Sequence, residues 1–194
     1  MDPILQTSIF LLALYHFDCT SGYPNGQVES SCSSMVPDHG ANAQSSTAPY
    51  SLSLSKSTYS AGQRITVTLA GSSFKGFLIQ ARSGGSSTPL GSFTASGNAQ
   101  TLYCTTAASA VSHTSGTSKS SIQVTWVAPS NTNSDIQLRA TVVQSERVFW
   151  TGILSSKLTY NANDTSDTSP SNSGFQHCAP LYCIFILMVM ILWI

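Results

Sequence analysis

"SIQVTWV", Ser121–Val127, decides the fold. Ile122, Val124 and Trp126 take alternate positions, with Gln123 and Thr125 between them. Successive side chains of a β-strand point to opposite faces, so this stretch reads as a half-buried strand with one apolar and one polar face. The same period recurs around it. "YSLSLS" aligns Tyr50, Leu52 and Leu54; "RITVTLA" aligns Ile65, Val67 and Leu69. "GFLIQA" aligns Phe77, Ile79 and Ala81; "DIQLRATVV" aligns Ile136, Leu138, Ala140 and Val142. Gly, Pro, Ser and Asn separate these runs in "SAGQ", "SGGSSTP", "SGNAQ" and "APSNTNSD", as turns require. No helical period of useful length lies between the two ends of the chain. Two sheets packed through their apolar faces give an all-β sandwich.

Composition agrees. Of 194 residues only 8% are charged, against about a quarter in ordinary globular chains. Ser, Thr, Gly and Asn take their place, which suits an extracellular β-domain. No five-residue window is cationic, which argues against nucleic acid as a partner. No repeat of solenoid length is present.

The two ends differ from the middle. "ILQTSIFLLALYHF", Ile4–Phe17, is apolar and is followed by small residues through Gly22. It reads as a secretory signal peptide over residues 1–22, cleaved near Gly22–Tyr23, although its start lacks Lys or Arg. Residues 175–194 form a hydrophobic tail. Its run from Ala179 to Ile194 carries no charge over 16 residues, and the last cation of the chain is Lys157. A membrane span needs about 20 apolar residues and usually a cytoplasmic cation. A buried helix would need cover on all sides. A glycosylphosphatidylinositol (GPI) attachment signal needs small residues, a polar spacer and a terminal apolar run. "SPSNSG", Ser169–Gly174, supplies the small residues, with Asn172 as the attachment site and Ser171 or Ser169 as alternatives. The tail is therefore read as a GPI signal, with a short membrane anchor and a buried helix as the competing readings. Before it, residues 161–174 hold Ala162 as their one apolar side chain. They read as a flexible Ser/Thr/Asn-rich stalk. Asn163–Asp164–Thr165 within the stalk is a glycosylation sequon.

Cysteine arithmetic follows from this processing scheme. The chain has five cysteines: Cys19, Cys32, Cys104, Cys178 and Cys183. Leader removal takes Cys19, and GPI transfer takes Cys178 and Cys183. Cys32 and Cys104 are left to pair in an oxidising compartment. The mature segment, residues 23–172, carries eight cations and six anions, a bias too weak to name a partner.

Several spaced motifs now carry a resemblance. "YPNGQV" (Tyr23–Val28) and "SCSSMVPDHG" (Ser31–Gly40) open the mature chain. "FKGFLIQAR" (Phe74–Arg82), "LGSF" (Leu90–Phe93), "VTWVAP" (Val124–Pro129), "ATVVQ" (Ala140–Gln144) and "FWTGILS" (Phe149–Ser155) follow in order. Residues 23–160 resemble a reeler, or reelin N-terminal, domain. The flavour is that of ferric-chelate reductase-like proteins and of stand-alone insect defence proteins. The resemblance implies an immunoglobulin-like β-sandwich and a Cys32–Cys104 disulfide. It also implies that the reductases hold their redox chemistry in further domains, a haem-binding sandwich and a multi-helix cytochrome module, for which this chain shows no segments.

No catalytic constellation is legible. His16 and His177 fall in segments expected to be removed, leaving His39 and His113. Neither sits in a metal-ligand spacing, and no Cys-x-x-Cys accompanies them. His39 is expected to hydrogen-bond within the "PDHG" turn, and His113 to lie exposed in a polar loop. No G-x-S-x-G elbow is present. Gly84–Gly85 lack a following Lys and read as turn formers. Trp126, Phe149 and Trp150 are expected to fill or flank the core. The sequence thus points to a non-enzymatic module of the secretory pathway that needs no cofactor or metal. Its expected partner is an extracellular protein, glycan or microbial surface, and its expected place is the outer leaflet of the plasma membrane. A secreted defence protein is the alternative, and an accessory to ferric reduction the weaker one.

Overall fold

The computed structural model describes residues 22–164. The segment read as a leader, up to Ser21, the residues expected to carry the anchor, Ser169, Ser171 and Asn172, and the tail 175–194 lie outside them. Among the described residues ten strands form two sheets. They are β1 (Tyr50–Leu54), β2 (Thr58–Tyr59), β3 (Arg64–Phe74), β4 (Gly76–Arg82), β5 (Ser92–Thr94), β6 (Ala99–Leu102), β7 (Ala110–His113), β8 (Lys119–Val127), β9 (Ile136–Ser145) and β10 (Val148–Tyr160). One sheet runs β1-β3-β8-β5 and the other β2-β10-β9-β4-β7-β6. Pairing is antiparallel except between β2 and β10, which run parallel. This is the β-sandwich that the alternating pattern predicts, in the immunoglobulin-like form that the resemblance implies.

Register explains why the pattern was readable. Ile65 lies opposite Trp126, Val67 opposite Val124 and Leu69 opposite Ile122. In the other sheet Phe77 lies opposite Val142, Ile79 opposite Ala140 and Ala81 opposite Leu138. Apolar positions thus meet apolar positions on the inner faces, and a one-residue slip would turn every one of them outward. An aromatic chain crosses the core: Tyr50 packs edge-on against Phe74 and Trp150, and Tyr59 against Trp126 and Tyr160. Trp126 and Phe149 are fully buried and Trp150 nearly so. Each large side chain removed from water contributes about 1.5–3 kcal/mol.

Three elements depart from the sequence reading. β4 is buried at every position, on both faces. Its outer residues Leu78, Gln80 and Arg82 are covered by the segment of residues 22–40, so β4 is not half-buried. β7 replaces the expected polar loop, and all four of its residues, His113 included, are buried. Finally, Asn161–Asp164 do not hang free as the start of the stalk. The Thr58 hydroxyl donates to the Asp164 carboxylate at 2.5 Å, and the Ser60 hydroxyl donates to the Asp164 carbonyl at 2.8 Å. The domain therefore takes in these four residues past Tyr160. Asn163 itself is exposed, as a glycan acceptor must be.

Candidate functional site

The site is built by residues 22–40, which lie as a strap across the outer face of the six-stranded sheet. Its middle is fixed covalently. Cys32 and Cys104 form a disulfide with Cα atoms 5.5 Å apart. Beside the bond, the Arg82 guanidinium donates to the Cys32 carbonyl at 2.7 Å and to the Ser33 carbonyl at 3.0 Å. Gln80 donates to the same Cys32 carbonyl at 3.0 Å and accepts from Arg82 at 2.6 Å. Arg82 is only 5% exposed. Burial lowers its pKa, with the nearby Arg139 charge adding to this, so carbonyl dipoles carry the work of solvating the cation. A further strut comes from Thr141, whose hydroxyl donates to the Met35 carbonyl at 2.5 Å. Replacing Arg82 by Ala leaves the Ser33 carbonyl without this donor, and is expected to cost about 1–3 kcal/mol, read as a lower midpoint in urea unfolding.

His113 fixes the first part of the strap. Its Nδ1 accepts from the Phe77 backbone N–H at 3.2 Å, which places the proton on Nε2. Nε2 then donates to the Tyr23 carbonyl at 3.2 Å. Gly26, at φ +72°, runs so close that a Cβ would stand 1.8 Å from the His113 carbonyl, so only glycine fits there. Burial lowers the His113 pKa, opposed by the hydrogen bonds that the protonated ring donates to the Phe77 and Tyr23 carbonyls and assisted by the Lys119 charge. The native state thus binds this proton less readily than the unfolded chain. Its stabilising contribution is whole above the unfolded value of 6.5 and is lost as pH falls below it toward the lower native value. Melting temperature is expected to drop across that window in the wild type and to change less in His113→Gln. A flat wild-type profile would show that His113 does not titrate differently on folding.

Between strap and sheet lies a cavity of about 450 Å³. Met35, Leu78 and Val143 line it with apolar side chains, and Asp38, His39, Lys75 and Glu146 supply polar groups. His39 and His113, remote in sequence, both line it. His39 stands edge-on to Phe149 with ring centroids 6.1 Å apart. Its Nδ1 is buried and makes no hydrogen bond. Among the described residues no group of three or more His, Cys, Asp or Glu is placed to hold a metal ion. The arrangement suits non-covalent capture of a partly apolar group, the usual character of a binding pocket.

Sequence reasoning missed the strap contacts. Period-two alternation puts Gln80 and Thr141 on the polar faces of half-buried strands, and nothing in it marks Arg82. One signal was present: Leu78 in "GFLIQA" is apolar on the supposed polar face, and a strand apolar on both faces must be covered on both. The Cys32 thiol expected to reach Cys104 was a second sign that the segment before β1 lies over the domain.

Comparison with known proteins places this architecture. A family model described as Reeler domain matches residues 30–166. The Danio rerio protein named "Putative ferric-chelate reductase 1" is 45% identical over 79% of this chain, which spans only 28% of that relative's length. The Antheraea mylitta protein named "Putative defense protein 3" is 34% identical over 72% of this chain and 88% of its own length. Among solved structures, a human F-spondin reeler domain superposes with a TM-score of 0.54 at 23% identity, covering 67% of this chain and 99% of that one. Fold, motif order and relatives agree, and the chain belongs to the Reeler domain family.

Proposed function

We propose that this protein is a non-catalytic extracellular binding module, held at the cell surface by a GPI anchor, whose ligand enters the cavity beneath the strap. The observation that carries the reading is the cavity itself. It is roofed by a disulfide-fixed segment, and its polar side chains stand beside apolar ones. A fixed roof lowers the ordering cost of binding. The reductase activity in the relatives' names is not carried over, because this chain spans about a quarter of their length. The small residues Ser169–Gly174 and the apolar run after them support the anchor. The test has two parts. Phospholipase C treatment of cells expressing the full chain should release the protein, whereas Leu187→Arg with Val189→Arg should send it to the medium. Purified protein should then bind at least one of bacteria, glycosaminoglycans or receptor ectodomains, and Val143→Trp, which fills the cavity, should abolish that binding.

A second reading, a secreted defence protein, is favoured by the Antheraea mylitta relative, whose length this chain nearly spans. Wild-type protein found in the medium and not on cells would select it. A Soret band or ferric reduction by the purified protein would instead favour an accessory role in iron reduction.

A further inference from the structure

We infer that Asn25–Gly26, in the first leg of the strap, is a site of spontaneous deamidation, and that its conversion to isoaspartate releases this leg from the sheet irreversibly. The inference concerns the strap's own chemistry and holds whatever ligand the cavity takes. "YPNGQV" contains the one Asn-Gly pair of the chain. Glycine after asparagine matters because no Cβ stands between the side-chain amide and the next backbone nitrogen. Asn25 is exposed. Its Oδ1 accepts from the Gln27 backbone N–H at 3.2 Å. This Asx turn holds Cγ over the Asn25–Gly26 peptide, and the donated hydrogen bond polarises the side-chain carbonyl for attack. The Gly26 nitrogen gives up its proton and attacks Cγ. The N–Cγ bond forms, the bond from Cγ to the amide nitrogen breaks, and ammonia leaves with the proton. Water then opens the succinimide at either carbonyl. Opening at the backbone carbonyl gives isoaspartate, whose main chain runs through Cβ and is one methylene longer.

The fold sets the rate. In the closed strap the Gly26 N–H donates to the Tyr23 carbonyl at 2.9 Å, and Gly26 is buried against β7. The Gln100 side chain ties the leg down by donating to the Asn25 carbonyl and, at 2.6 Å, to the His113 carbonyl. His113 Nε2 adds its bond to Tyr23. The attacking nitrogen is therefore engaged while the strap is closed. It becomes reactive when the first leg lifts, a local opening that costs less than unfolding the sandwich. The product cannot close again. Gly26 lies so near β7 that even a Cβ would stand 1.8 Å from the His113 carbonyl oxygen, so a longer main chain bearing a carboxylate has no place there. Tyr23 and Pro24 line the cavity, so the leg that is released is part of its wall. Deamidation thus turns a transient opening of the cavity into a permanent one.

Full chain purified from expressing cells is incubated at body temperature, at neutral and at mildly alkaline pH. Mass spectrometry follows the peptide that contains Asn25, and labelling by a protein-isoaspartate methyltransferase scores the isoaspartate. Asn25 is expected to convert, and faster at the higher pH, because the attacking nitrogen must lose a proton. Gln100→Ala removes one tie of the leg and should speed conversion roughly two- to tenfold, the effect of one lost hydrogen bond on the opening. Low urea, below the unfolding transition, loosens the strap without a substitution and should speed it as well. Asn25→Gln, whose longer side chain closes the ring far more slowly, should stay unmodified. Hydrogen exchange of the converted protein should be faster in residues 22–31 and unchanged in β8, which separates release of the leg from loss of the sandwich. Three results would overturn the inference. One is no conversion of Asn25 over a period that converts the urea-unfolded chain. Another is a rate that neither Gln100→Ala nor low urea changes. The last is exchange after conversion that is unchanged in residues 22–31, or that is accelerated equally in β8.

Discussion

Cys32→Ser is expected to lower the unfolding free energy by about 2–5 kcal/mol, typical for a native disulfide of a small secreted domain. The cysteines are 72 residues apart. A loop of that length gives about 4 kcal/mol in the chain-entropy model. The local setting adds to the loss. The freed Cys104 thiol stays half-buried beside Gln80, and the strap is then held by hydrogen bonds to Gln80, Arg82, Gln100, Thr141 and His113. Against a total stability of about 5–15 kcal/mol for a domain of this kind, that loss should cut the secreted yield severely. Urea unfolding of whatever is secreted measures the effect. An unchanged midpoint, with both thiols free in the wild type, would mean that the strap is held without the bond.

Trp126→Ala should cost about as much, roughly 3–5 kcal/mol, by a different route. Trp126 is fully buried, lies opposite Ile65 in β3 and Phe93 in β5, and stands edge-on to Tyr59 at 6.0 Å. Its indole N–H donates to the Leu90 carbonyl at 3.0 Å. Gly91 permits that approach: at φ +71°, a Cβ there would stand 2.6 Å from the indole nitrogen. Alanine at 126 leaves a cavity that joins both sheets, so the loss should appear as a lower urea midpoint with the cooperative transition retained. Trp126→Phe keeps most of the apolar contact and leaves the Leu90 carbonyl unpaired, for about 1–3 kcal/mol. An equal loss in both variants would show that the hydrogen bond, and not the packing, dominates.

What could be read from the sequence, and what could not, divides along one physical line. The period-two runs around Trp126, Val67 and Leu138 have one face on the core and one toward water, and such strands announce themselves. β10 does not. Register shifts fall at Val148/Phe149, Trp150/Ile153 and Leu154/Lys157, and Gly152 sits at φ +67°. Each bulge resets the phase, so buried Phe149 and Trp150 are neighbours and the alternation disappears. The family motif "FWTGILS" marked this stretch where the pattern could not. His113 was misplaced for a related reason. "AVSH" is too short to show a period, and its burial comes from β4, β6 and the strap, all distant in sequence. The pairing of Cys32 with Cys104 was legible because arithmetic needs no geometry. The cavity was not, since Phe77, Val143 and His39 meet only after two sheets and a strap are assembled.

The central claim is that ligand is captured beneath the strap and not on the turns at the ends of the sandwich. Amide chemical-shift mapping of the isotope-labelled full chain, titrated with the soluble ligand that the surface panel identifies, tests it most directly. The account predicts that perturbed amides cluster at Val28, His39, Lys75, Leu78 and Val143. Perturbations confined to residues 83–89 and 128–135, the turns after β4 and β8, would contradict it.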